Sequence, residues 1–120
     1  MKGATPGEEG ADPRAGLATY LVHPDKLEHY LLNPRQEVGA GKAARLLRHR
    51  FTAETLATTL RQQGRLGQVT KAWATPWGLR IEVTEPMMTP LNRYLAVTTV
   101  WQVDTDDPST ARFITLTFED

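Results

Sequence analysis

The hydrophobic period changes once along the chain, near Gly67, and the change separates a helical half from a strand half. Before it, apolar residues recur three and four positions apart. Leu27, Tyr30 and Leu31 make one such set, in a short helix that opens at Pro24-Asp25 and stops at Asn33-Pro34. A second helix is predicted from about Gly41 to Arg50, with Ala43, Ala44, Leu47 and Phe51 on its apolar side. A third starts from Thr52 as N-cap, carries Ala53, Leu56, Ala57 and Leu60 on one stripe, and is expected to stop at Gly64. After Gly67 the alternation is one in two. The runs "QVTKAWA", "LRIEVTE", "RYLAVTTVWQV" and "RFITLTF" read as four strands, separated by turn-forming Pro76 to Gly78, "PMMTPLN" and "DTDDPST". Val97, Thr99, Trp101 and Val103 share one side of their strand. Ile114, Leu116 and Phe118 lie opposite Thr115 and Thr117 in the last. The pattern predicts an α+β domain, three N-terminal helices packed on a four-stranded antiparallel sheet.

Two segments stand outside that scheme. Residues 1–16 are rich in Gly, Pro, Ala and acid and show no period, so they read as a disordered or loosely attached tail before a single domain at 17–120. "LATYLV", residues 17–22, reads as a short strand of its own.

Composition narrows the classes of function. A chain of 120 residues, 40% hydrophobic and 23% charged, has the make-up of one globular core. No apolar run approaches the ~20 residues that cross a bilayer, and the N-terminus lacks a signal-type apolar region, so no membrane partner is expected. The absence of cysteine fits a cytoplasmic location. Three histidines with no ligand-pair spacing, and no nucleotide or cofactor motif, lead us to expect neither metal nor cofactor. Net charge is zero but unevenly placed. Residues 35–65 carry seven Lys/Arg against Glu37 and Glu54, and residues 82–120 carry Arg93 and Arg112 against seven carboxylates. Such asymmetry points to partners more than the total does.

The densest candidate chemistry lies in "GAGKAARLLRHR", residues 39–50. It is not a nucleotide loop: the residue five before Gly41 is Gln36, and Lys42 is followed by Ala43 where a Walker loop needs Ser or Thr. Gly41 instead eases entry into the second helix, whose first N–H groups can meet an anion. Lys42, Arg45 and His49 fall within a roughly 60° arc of that helix, with Arg48 adjoining. Most such stripes are only solvated. A histidine aligned with two cations has a second use, because metal-free RNA cleavage needs a proton carrier and positive charge for the pentavalent phosphorane. Thr115, on the hydroxyl side of the last strand, is the facing candidate. Trp101 is expected in the core and Trp77, between Pro76 and Gly78, at an exposed turn where it can touch a ligand. Asp104, Asp106 and Asp107 have near metal-like spacing but run into a Pro-Ser-Thr turn.

In order, "DKLEHYLLNPRQEVGAGKAARLL", "PWGLRIEV", "LAVTTVWQVD" and "ARFITLTF" resemble an uncharacterised bacterial domain family over about residues 20 to 118. Its members occur free-standing and at the C-termini of polymorphic or contact-dependent toxins, with the architecture of the barnase–EndoU–colicin–RelE class. The resemblance implies a metal-independent ribonuclease, often acting on tRNA, and a cognate immunity or antitoxin protein. By position it implies roles for Lys42, Trp101 and Thr115. This chain departs from the pattern at Gln36, where many relatives have His, and glutamine carries no proton near neutral pH. His49 is then the nearest substitute. Two functions stay open: an RNA-cleaving domain using Lys42, Arg45, His49 and Thr115, and a catalytically inactive member of the same fold that binds RNA or a protein partner through its basic and acidic halves; Arg48, Gly41 and Trp77 are the candidate binding residues.

Overall fold

The computed structural model describes residues 11–33, 35 and 40–119. The four predicted strands form, as β2 (Gln68–Thr75), β3 (Gly78–Met88), β4 (Tyr94–Asp104) and β5 (Thr110–Phe118), joined as an antiparallel meander. The sheet has five strands, however, and is mixed. Three residues of the "LATYLV" run, β1 (Thr19–Leu21), pair in parallel with β5 through Thr19–Thr110, Tyr20–Ala111 and Leu21–Arg112, giving the order β1-β5-β4-β3-β2. A purely antiparallel four-stranded sheet is therefore corrected. Burial drives the addition, since Tyr20 and Val22 are core residues and a parallel neighbour lets them join without a hairpin.

Three helices cover one face. A short turn of α-helix, α1 (Pro24–Lys26), continues into a π-helical turn at Leu27–Leu31, and Leu27 and Leu31 are both buried. The second helix, α2, runs Ala40–Arg48 and ends before Arg50, whose φ of 69° breaks the helical path. The third, α3, runs Ala53–Leu66 from a capping box in which Thr52 Oγ1 accepts from Thr55 N and Thr55 Oγ1 accepts from Thr52 N. It does not stop at Gly64. It continues to Leu66 and is closed at Gly67, whose N–H donates to Gln63 O. Gly64 serves packing instead: a Cβ there would lie 2.5 Å from the Trp101 ring.

That ring is the centre of the core. Trp101 is buried, with Tyr20 and Phe113 meeting it edge-on at 5.5 Å each. Its Nε1 donates to Thr99 Oγ1, which donates to Gln63 Oε1 on α3, and Gln63 Nε2 donates to the Val83 carbonyl on β3. A polar thread thus runs through the apolar layer with each buried group met. It also fixes which side of β4 faces α3: Val97, Thr99, Trp101 and Val103, as the alternation required. Pro86 stands inside β3, which extends into the "PMMTPLN" run. It pairs with Ala96 on β4, but the β2 pairing has already ended at Gln68–Thr84, so no ladder hydrogen bond to β2 is needed from it.

The N-terminal segment is partly seated. Residues 1–10 lie outside the described residues, whereas residues 12–16 form a turn. There Arg14 holds Asp12 at 2.9 Å and donates through Nη1 to the Gly64 carbonyl at 2.8 Å.

Candidate functional site

Helix α2 is turned relative to its sequence reading. Ala43, Leu46 and Phe51 are buried, while Leu47 is 39% exposed. The core thus takes Leu46 in place of Leu47, a shift of one residue or about 100° on the wheel. The cationic stripe is moved from opposite the core to its flank, and Lys42, Arg45 and His49 are all half-buried. Arg45 lies over the Phe118 ring, 4.4 Å from its centroid, and both Lys42 and Arg45 are engaged by neighbouring groups. His49 Nδ1 is enclosed and has no hydrogen-bond partner among the described residues. Arg48 is exposed. Gly41 is the second residue of α2, exposed, with open space where a Cβ would stand, so the helix does not require glycine there. Gln36 and Gly39 lie outside the described residues.

Strand register separates Thr115 from that group. Phe118 pairs with Val97, and Val97 shares the helix-facing side of β4 with Thr99 and Trp101, so Arg45 stacks on the covered side of the sheet. Thr115 pairs with Val100, which stands between Thr99 and Trp101 and so faces the other way. The structure places Lys42 and Arg45 on α2 and His49 in the turn that follows it, and puts Thr115 on the face turned from the helices. Trp77 is 72% exposed at the β2–β3 turn, where Thr75 Oγ1 accepts from Trp77 N and Gly78 N, and Thr105 N donates to the Trp77 carbonyl. Gly78, at φ 152°, closes that turn where a Cβ would meet the Val103 carbonyl.

The uncovered face carries a second constellation, built across strands. Trp73, Arg80, Gln102 and Arg112 pair in register over β2, β3, β4 and β5 and form one row. Two residues further along, Lys71, Glu82, Val100 and Thr115 form the next. Thr84, Thr98 and Thr117 make a third, with Thr84 and Thr98 hydroxyls 2.8 Å apart and Thr98 donating to Glu119 at 2.8 Å. Lys71 Nζ lies 5.0 Å from the Trp73 ring centre, and Thr70 Oγ1 donates to Glu82 Oε1 at 2.9 Å. Arg80 Nε donates to Gln102 Oε1 at 2.8 Å, and Arg112 faces Asp104 at 3.3 Å. Cations, carboxylates, hydroxyls and an aromatic ring therefore share one surface. Sequence reasoning missed these residues, although the alternation in "LRIEVTE" already puts Arg80, Glu82 and Thr84 on one side. What it could not supply was the register that lines them up with Lys71, Trp73 and Gln102. Among the described residues no cluster of His, Asp and Glu has metal-binding geometry, and no helix is long and apolar enough to cross a membrane.

A mixed sheet covered by helices on one face and polar on the other defines a two-layer α+β domain with one open face. The chain belongs to the family of a domain of unknown function, DUF6883, whose profile matches residues 15–119. No curated protein matches it in sequence. Among solved structures it is similar to a chain of the contact-dependent growth inhibition toxin–immunity protein complex from Klebsiella pneumoniae 342, with a TM-score of 0.67 and 16% identity, over 92% of this chain and 99% of that one. At that identity the likeness is one of fold.

Proposed function

We propose that this domain is a toxin-type, metal-independent endoribonuclease that lays single-stranded RNA, such as an exposed tRNA loop, across the uncovered face of its sheet. The observation that carries the reading is the juxtaposition of Glu82 with Lys71 opposite it and Arg80 two residues along the same strand side. Metal-free cleavage needs these parts. Glu82 takes the proton of a 2′-hydroxyl, and the freed oxygen attacks the adjacent phosphorus. Lys71 and Arg80 hold the charge that builds on the phosphorane. The bond to the 5′-oxygen then breaks, that oxygen takes a proton from water, and a 2′,3′-cyclic phosphate remains. Trp73 offers a ring for base stacking, and Trp77 a second at the turn. The fold shared with a chain from a toxin–immunity complex supports this reading, and by analogy its partner would be a cognate immunity or antitoxin protein in the cytoplasm.

A second reading is favoured by one specific observation: the described part of the uncovered face holds no histidine, and Glu82, Asp104 and Glu119 alternate with its cations. On that reading the face binds a cognate protein through paired charges and cuts nothing.

Incubating the purified protein with tRNA in EDTA separates the two. Cleavage to ends bearing cyclic phosphate is expected, reduced on the order of 10²-fold or more in Glu82→Gln and Lys71→Ala. Intact tRNA at molar excess of the wild-type protein would overturn the ribonuclease reading. If Lys42→Ala abolishes cutting and Glu82→Gln spares it, the reacting centre lies on α2 with Arg45 and His49 instead.

A further inference from the structure

We infer that Gln102, flanked by Arg80 and Arg112, forms a phosphate-binding subsite on the uncovered face, separate from the Lys71–Glu82 pair. Gln102 is 3% exposed although it lies on the face that no helix covers. Its Oε1 is fixed by the donated hydrogen bond from Arg80 Nε at 2.8 Å, which sets the amide orientation and directs Nε2 away from Arg80. Among the described residues Nε2 has no hydrogen-bond partner. A buried donor left unmet is costly, and native structures rarely keep one without a use.

The surroundings say which ligand would meet it. Gln102 pairs in register with Arg80 on one side and Arg112 on the other, so its amide lies on a strand flanked by two arginine-bearing strands. Within the row of Arg80, Gln102 and Arg112 the one side-chain acceptor, Gln102 Oε1, is taken up by Arg80, and the other polar groups are donors. Among the described residues Arg112 is held by Asp104, with both carboxylate oxygens at a long 3.3 Å and both side chains more than a third exposed, so a competing anion can draw it off at little cost. Such a site takes a phosphate group, whose several oxygens accept from an amide and from guanidinium forks together. The row lies two residues along the strands from Lys71 and Glu82, roughly 7 Å away, a separation suited to the next phosphate of an extended strand. Trp73, in the same row beyond Arg80, places a stacking surface beside it.

The subsite rests on the ribonuclease reading for its strand but not for its existence, and binding measured apart from cutting keeps the two distinguishable. The probe is a 2′-O-methyl oligoribonucleotide, which cannot be cleaved by attack of its 2′-oxygen, titrated against wild-type protein, Arg112→Ala and Gln102→Leu at several salt concentrations. Each variant is expected to bind about ten-fold or more weakly, and Arg112→Ala to flatten the log–log salt slope by about one. Gln102→Leu is expected to keep or raise Tm while losing affinity, which a purely structural glutamine would not do. Inorganic phosphate, followed through the Gln102 side-chain amide signal, tells a site for the free anion from one that needs the strand. A shift with phosphate alone, or only with the oligonucleotide, supports the subsite in either form. Wild-type protein that fails to bind the oligonucleotide at low salt, or variants that bind as tightly as wild type, would overturn it. Binding lost in both variants from a wild type that never cuts RNA leaves the subsite standing and removes the ribonuclease.

Discussion

At the residue scale, the titrations of Asp12, Arg14 and Tyr20 are shifted, and of these Tyr20 lies in the core. Burial raises the pKa of the Tyr20 hydroxyl, and the nearby Arg14 and Arg65 cations offset this only in part. The Arg65 guanidinium lies 5.1 Å from the Tyr20 ring centre, on the same ring that meets Trp101 edge-on. The sign follows from linkage. A phenol whose folded pKa is raised contributes stability that is whole below its ordinary value, about 10, and is lost as pH climbs through the folded value. Tyr20→Phe keeps the ring in place and removes the titration. Denaturation midpoints taken from roughly pH 9 to 12 should therefore fall less steeply in Tyr20→Phe than in wild type, and equal slopes would show that Tyr20 titrates as it does unfolded. The sequence marked Trp101 for the core and Trp77 for the surface from their neighbours alone, and both placements hold. It could not mark Gln102, because nothing local to "VWQVD" says that its amide would be enclosed between two arginines from other strands.

At the scale of elements, periodicity located each helix and strand but left single-residue choices open. "RLLR" offers adjacent leucines, and either Leu46 or Leu47 satisfies a helical stripe. Contact with the rest of the core decides for Leu46, and with it turns Lys42, Arg45 and His49 by about a quarter of a circle. "QQGRLG" offers two glycines as helix stops. Gly67 closes α3, while Gly64 allows the helix to lie directly on the Trp101 ring. That distinction has a measurable consequence. In an exposed helix interior Gly→Ala would stabilise by about 1 kcal/mol. Here the added methyl meets a ring wedged by Tyr20 and Phe113, and overpacking of that kind costs about 1–3 kcal/mol. Gly64→Ala is thus expected to lower Tm by a few degrees, and the loss should shrink when Trp101→Phe is made in the same chain. A raised Tm in Gly64→Ala would show that α3 is free to lift off the sheet.

At the scale of the whole molecule, the decisive fact is that the sheet has two faces with different duties. The covered face holds the apolar cluster and the Trp101–Thr99–Gln63 thread, so its substitutions act on stability: Val97→Ala should cost on the order of 2 kcal/mol. The uncovered face holds Lys71, Trp73, Arg80 and Glu82, and truncating an exposed residue such as Lys71 should change stability by only about 0.5 kcal/mol. Which face a strand residue joins was legible in the sequence. That α2 attaches to the covered side was not, since it rests on packing between segments far apart in the chain, such as Arg45 over the Phe118 ring. The same division tests whether α2 and the sheet make one site. Residues that act as a unit are strongly non-additive, whereas groups held on opposite sides of a sheet act independently. If RNA cleavage depends on both Lys42 and Thr115, the register places them apart, and the rate lost in Lys42→Ala with Thr115→Val should equal the product of the two single losses. A double variant no worse than the more damaged single one would mean that the helix stripe and the last strand meet around one phosphate after all, and that the α2 ridge closes over the sheet when RNA is bound.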